Sequence, residues 1–234
     1  MSGGEVSGGK RSDGRIVLFA AGGGFLLVLL ALTCLHVFRL FSIPSGGMAP
    51  TITIGDHVIV SRVAYGYSRF SFDWWTLPIE DRWPAGRLPE RGDVVVFRTP
   101  GDHSIFYVKR IVGLPGDRIQ VIDGVLHING EPVKRERAGE AVQDVRCGFQ
   151  VRHLSVPQYR ETLPNGHTYI TQKISEACAG GPTSDNTDVY VVPPNSYFMM
   201  GDNRDDSADS RFSVPSGVGY VPRELILGRV VTSL

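Results

Sequence analysis

Arg118-Ile119-Gln120-Val121-Ile122-Asp123-Gly124-Val125-Leu126-His127-Ile128 decides the fold. Two runs rich in apolar residues read as strands, and Asp123-Gly124 between them is a two-residue turn in which both positions favour positive φ. Asn129-Gly130 marks the next turn. Moving outward, His57–Val63, Asp93–Arg98, Ile105–Val112 and Ile226–Val231 have the same character and are punctuated by Gly, Pro and Asp. An all-β domain is predicted, and no internal repeat is visible. From Glu131 to Pro194 the pattern turns polar and irregular, broken at Pro157, Pro164-Asn165-Gly166 and Gly180-Gly181-Pro182. Apolar Tyr197-Phe198-Met199-Met200 then resumes the core, so a small inserted subdomain is predicted over about 131–194.

Ahead of this domain, Ile16 to Leu35 holds no charge over 20 residues, enough for a helix to cross about 30 Å of hydrocarbon. A transmembrane anchor is predicted over 16–38, after a Gly/Ser-rich tail over 1–15 and before a domain over 39–234. A cleaved signal sequence would have an apolar core of only about 7 to 15 residues and a small-residue cleavage site, which is not found here. Lys10, Arg11 and Arg15 precede the span and only Arg39 follows closely, which places the tail inside and the domain outside. The aromatic stretch Tyr65-Gly66-Tyr67-Ser68-Arg69-Phe70-Ser71-Phe72-Asp73-Trp74-Trp75 is predicted to touch the bilayer, with core packing as the alternative.

The 234 residues balance 24 Lys and Arg against 24 Asp and Glu. With no long basic run, this argues against a nucleic-acid partner. Cys147 and Cys178 are the only cysteine pair outside the span, a candidate disulfide in an oxidising compartment; two unrelated buried thiols are the alternative. No Cys/His spacing resembles a zinc site, and no metal is expected.

Alternation in Ile105–Val112 sets Ile105, Tyr107, Lys109 and Ile111 on one face and Phe106, Val108, Arg110 and Val112 on the other. Lys109 therefore projects among apolar side chains, where desolvation disfavours the ammonium and prepares the amine to accept a proton. On strand pattern alone an ordinary lysine that snorkels to water is the better reading. Three motifs reverse that preference: Ile43-Pro44-Ser45-Gly46-Gly47-Met48-Ala49-Pro50-Thr51-Ile52; Tyr107-Val108-Lys109-Arg110-Ile111-Val112-Gly113-Leu114-Pro115-Gly116-Asp117; and Gly201-Asp202-Asn203-Arg204-Asp205-Asp206-Ser207-Ala208-Asp209-Ser210-Arg211. In this order behind a membrane anchor, they resemble the bacterial type I signal peptidases, or leader peptidases, over nearly everything after Ile43.

The resemblance implies an all-β serine endopeptidase of the cytoplasmic membrane that uses a Ser/Lys dyad and no metal or organic cofactor. It would cut signal peptides from exported proteins after Ala-x-Ala sites, with the bilayer surface and the translocation machinery as further partners. By the same carry-over Lys109 is the general base, the Ser45 hydroxyl and the backbone amide at position 47 form the oxyanion hole, and Ser207 orients the lysine. Asp209 and Arg211 hold the last loop, Gly201 permits close backbone approach, and Asp202, Asn203 and Arg204 support them. Ile43, Pro44, Met48, Tyr107 and Val108 line the substrate cleft.

Gly47 stands where that family has its serine, and it carries no atom able to attack a carbonyl. Ser45 is no substitute, because two residues of extended chain span about 6.5 to 7 Å. Loss of the nucleophile in a comparable serine protease costs on the order of a million-fold in turnover. Two readings follow: signal peptidase chemistry with the serine altered in this copy or replaced by an activated water, or a pseudopeptidase that binds signal peptides or a translocation partner without cutting. Intact Lys109, Ser45 and Ser207 favour a recent or artificial loss.

Overall fold

Backbone φ is 49° at Asp123 and 74° at Gly124, then 56° at Asn129 and 89° at Gly130, so both predicted turns use left-handed residues. The first brings Ile122 opposite Val125 and pairs the two runs antiparallel. The structure, a computed structural model, describes residues 36–72, 78–84, 86–147, 150–174, 178 and 185–234. The chain divides into residues 1–38 and a unit of residues 39–234. All of the anchor expected over 16–38 except residues 36–38 lies outside the described residues. Among the described residues no helix is long and apolar enough to cross a membrane.

The strands are β1 (Phe38–Ser42), β2 (His57–Ser61), β3 (Val94–Arg98), β4 (Phe106–Gly113), β5 (Arg118–Ile122), β6 (Val125–Ile128) and β7 (Glu131–Pro132). They continue as β8 (Lys134–Cys147), β9 (Gln150–Thr162), β10 (Thr168–Gln172), β11 (Tyr190–Val191), β12 (Ser196–Met200), β13 (Val221–Pro222) and β14 (Ile226–Ser233). The main sheet runs β1-β2-β14-β3-β4-β12-β13, a second runs β11-β5-β6-β7, and a third runs β10-β9-β8. Within the main sheet β4 is an interior strand, with β3 on one side and β12 on the other.

Period-two alternation sorts the apolar side chains into separate cores. Val95, Phe97, Ile111, Met199 and Ile226 pack in one, with Tyr107 against them. Met48, Ile52, Val58, Val60, Val96 and Leu227 fill another, while Val112, Ile119, Leu126 and Phe198 join the main sheet to β5 and β6. Each fully buried side chain of this size contributes about 1.5 to 3 kcal/mol, and β4, paired on both edges and buried from Lys109 to Gly113, is held in place from both sides and both faces.

Two expectations need correction. The stretch 131–194 is not irregular: β8 and β9 form a long antiparallel hairpin from Lys134↔Thr162 to Cys147↔Gln150. Its period was masked because Lys134, Glu136, Arg137 and Glu140 are all exposed, so neither face of this part of β8 is apolar. Cys147 and Cys178 are joined as a disulfide. At its base the hairpin merges with the domain, where Leu163 and Tyr169 belong to the core. The second correction concerns the aromatic stretch: Tyr65 is fully buried and its hydroxyl donates to Asp93 Oδ2 at 2.7 Å, while Phe70 packs on the same core. Core packing accounts for these two rings, and residues 73–77 lie outside the described residues.

Gly124→Ala tests the turn that sets the fold. A Cβ in the left-handed region costs about 1 to 2 kcal/mol, so the variant's urea midpoint in detergent falls with an unchanged slope; an unshifted midpoint contradicts the assignment.

Candidate active site

Between β1 and β2 the chain folds into a tight loop closed at its neck, where Ile43 N–H donates to Asp56 O and Gly55 N–H to Ile43 O, both at 2.9 Å. Inside it, Ala49 N–H donates to Gly46 O and Ile52 N–H to Met48 O at 3.0 Å. Met48 and Ile52 are buried in the core and pin the loop from below. These contacts present Gly46 and Gly47 to β4.

Lys109 comes to the same point from β4 and is 5% exposed. Its Nζ lies 3.0 Å from where a Cβ on residue 47 would stand, and Asp206 O lies 3.0 Å from that same point. Burial pushes the Lys109 amine below the ordinary lysine pKa, opposed by the carboxylates of Asp209, Asp202 and Asp206. The Tyr107 ring is 5.5 Å from Nζ.

The loop after β12 supplies the third side. Gly201 has no room for a side chain: a Cβ would stand 2.2 Å from Ser207 Oγ and 2.3 Å from Gly47 O. Asn203 N–H donates to Gly47 O at 3.2 Å and its Nδ2 to Gly46 O at 3.0 Å. Asp209 accepts from Gly201 N–H at 3.0 Å and from Arg211 Nε and Nη2 at 2.9 Å. Burial alone would raise the Asp209 carboxyl, but Arg211 and these hydrogen bonds hold it below the usual carboxylate range. Arg204 donates to both oxygens of Glu161, at 3.0 and 2.5 Å. Arg110, on the face of β4 opposite Lys109, donates to both oxygens of Asp202 at 2.8 and 2.6 Å, and Thr51 Oγ1 donates to Asp202 Oδ2 at 2.5 Å.

One cleft of about 550 Å³ gathers Ile43, Pro44, Ser45, Gly47, Met48, Tyr107, Val108, Lys109 and Ser207. Its walls are largely apolar, and Asp206 also lines it. Gly201, Asp202, Asn203, Arg204, Asp209 and Arg211 stand outside that lining and frame the loop. Ser207 is 1% exposed and its Oγ makes no hydrogen bond, so the bond to Lys109 expected from the resemblance is not formed in this structure. Sequence reasoning missed Arg110 and Glu161 as the partners of Asp202 and Arg204. A charged side chain inside an apolar strand was the available signal for Arg110; Glu161 sat in the stretch read as irregular. Among the described residues no group of three or more His, Cys, Asp and Glu is placed to hold a metal.

Residues 17–234 match the family described as Signal peptidase, peptidase S26. Signal peptidase I of Rickettsia massiliae (strain Mtu5) is 36% identical over 208 residues, covering 88% of this chain and 74% of the relative. Signal peptidase I of Rickettsia prowazekii (strain Madrid E) is also 36% identical, over 88% of this chain and 75% of the relative. A solved signal peptidase I from Enterococcus faecalis V583 is 24% identical over 62% of this chain and 98% of its own, with a TM-score of 0.34, too low to bear on the fold.

Asp202→Asn leaves the buried Arg110 guanidinium without its charge partner, and such a break costs about 3 to 5 kcal/mol. Denaturant unfolding registers that loss, whereas Glu136→Gln at the exposed pair with Lys134 leaves the midpoint in place. Equal midpoints for the two variants would show that the pair does not frame the site.

Proposed function

The chain belongs to the signal peptidase family, peptidase S26, and from that premise we propose that it binds signal peptides of exported preproteins in the Ile43–Ala208 cleft but cleaves them poorly or not at all. The supporting observation is the spacing of 3.0 Å between Lys109 Nζ and the Cβ position of residue 47. An amine there is placed to take a proton from a hydroxyl carried by residue 47, and glycine carries none.

The remaining parts fit acyl transfer. A peptide lying extended along Tyr107 and Val108 brings its scissile carbonyl over Gly47, with the residue 47 amide and the Ser45 hydroxyl as oxyanion donors. Tyr107, Met48 and Ile43 line this cleft, and in this reading they are the walls that select Ala-x-Ala ends. One methylene changes binding in such a pocket by only about 1 to 3 kcal/mol, so pairing with the strand and delivery at the bilayer surface carry the rest of the selection. Ser207, which lines the same cleft as Lys109, is the hydroxyl that orients the lysine in this reading.

Residues 1–15 form a cytoplasmic tail, 16–38 a single membrane anchor and 39–234 an extracytoplasmic domain in this reading, with the translocation machinery as a neighbour. A second reading, a pseudopeptidase that retains peptides without cutting, is favoured by the intact apolar cleft beside the missing nucleophile.

Gly47→Ser is expected to cut an Ala-x-Ala precursor in detergent, with Gly47→Ser plus Lys109→Ala inert and the unaltered chain on the order of a million-fold slower than the serine variant. A Cβ at 47 requires Lys109 Nζ, the end of a long side chain, and the backbone carbonyl of Asp206 each to give by a few tenths of an ångström. Rapid cutting by the unaltered chain would refute the reading. The serine variant also has a predicted pH profile. Its base works only when neutral, so the rate falls as pH drops through the Lys109 pKa, and burial sets that limb below the 10.5 of an ordinary lysine. A limb at or above 10.5 would contradict a buried amine base.

A further inference from the structure

Asp206 is the one acid of the loop after β12 that lines the cleft. Asp202 is bonded to Arg110, Asp209 to Arg211, and Asp205 is buried at 1% exposure outside the lining. The Asp206 carboxylate lies beside the glycine pair, its Oδ2 3.5 Å from the Cβ position of Gly46, while Lys109 Nζ is 3.0 Å from that of Gly47. Consecutive residues of one short backbone segment thus have a carboxylate against one and an amine against the other. The floor between them carries no side chain. Both groups line the same cleft, whose other walls are mainly apolar.

We propose that Asp206 and Lys109 hydrolyse the bound peptide directly, with water as the nucleophile over Gly47 and no covalent enzyme intermediate, which rests on the cleft's being the peptide-binding site. The Asp206 carboxylate takes a proton from water as the water oxygen bonds to the scissile carbonyl carbon. The resulting oxyanion is held by the residue 47 amide and Ser45. The C–N bond then breaks as the amide nitrogen takes a proton from the Lys109 ammonium, and Asp206 returns its proton to Lys109 through the cleft water. One peptide and one water give one acid and one amine. Burial raises the Asp206 carboxyl, countered by Lys109, and lowers the Lys109 amine, so each group is shifted toward the range in which it exchanges protons. General acid and base groups of this kind contribute about 10² to 10⁴-fold each, which makes the reaction slow beside acyl transfer to serine and separable from background.

The test uses the full chain in detergent at enzyme excess, with an Ala-x-Ala precursor and long incubation. The unaltered chain is expected to cut at the precursor site with a bell-shaped pH profile, and Asp206→Asn to lower the rate by about 10²-fold and remove the acid limb. Added hydroxylamine gives no hydroxamate from the unaltered chain, because no acyl group forms on the protein, and this readout needs no variant. Cutting that is unchanged in Asp206→Asn, or a hydroxamate product, overturns the mechanism. If the unaltered chain cuts nothing while Gly47→Ser cuts, this mechanism fails and the reading of the cleft as the peptide site stands; if neither cuts, both fail.

Discussion

The ion pair between Arg110 and Asp202 joins β4 to the loop after β12 with both side chains buried, at 4% and 1% exposure. Burying two charges costs several kcal/mol apiece, and the attraction between them offsets this only when every donor and acceptor is satisfied. Here Arg110 gives Nε and Nη2 to the carboxylate and Nη1 to Gly92 O, and Asp202 also accepts from Thr51 of the glycine loop. Three segments distant in sequence therefore meet at one carboxylate. Because neighbouring residues of a strand point to opposite faces, fixing Arg110 on one face fixes Lys109 on the other.

A steric constraint completes what the ion pair begins. Gly201 lies so close to Gly47 that its missing side chain is what lets the two loops touch, and Asn203 bonds the carbonyls of both Gly46 and Gly47 across that contact. Asp209 bonds the Gly201 amide and is itself held by Arg211. The frame thus specifies the backbone of residue 47 without using its side chain. A glycine at position 47 is therefore compatible with a formed cleft, a buried amine and an oriented loop.

Much of this was legible in the sequence because it is local. Asp123-Gly124 demanded positive φ at both positions and has it. The alternation through Ile105–Val112 put Lys109 and Arg110 on opposite faces, as they are. What stayed hidden was non-local or lacked an apolar face. The β8–β9 hairpin is held by its ladder of backbone pairs, with charges on both sides through its first turn of residues, so period two left no mark in hydrophobicity. Glu161 lies within the stretch read as polar and irregular, and only the fold brings Arg204 to it. Tyr65 read as a membrane-facing ring because composition cannot show that Asp93 waits for its hydroxyl in the interior.

The central claim is that one oxygen separates this site from a complete signal peptidase, and acyl-enzyme formation tests it most directly. Gly47→Ser and the unaltered chain would each be mixed with an activated ester of a peptide ending in Ala-x-Ala, quenched in acid and mapped by mass spectrometry. The account predicts an acyl adduct at position 47 of the variant and none on the unaltered chain. An adduct on the unaltered chain, at Ser45 or elsewhere in the cleft, would show that another nucleophile serves the site and would contradict it.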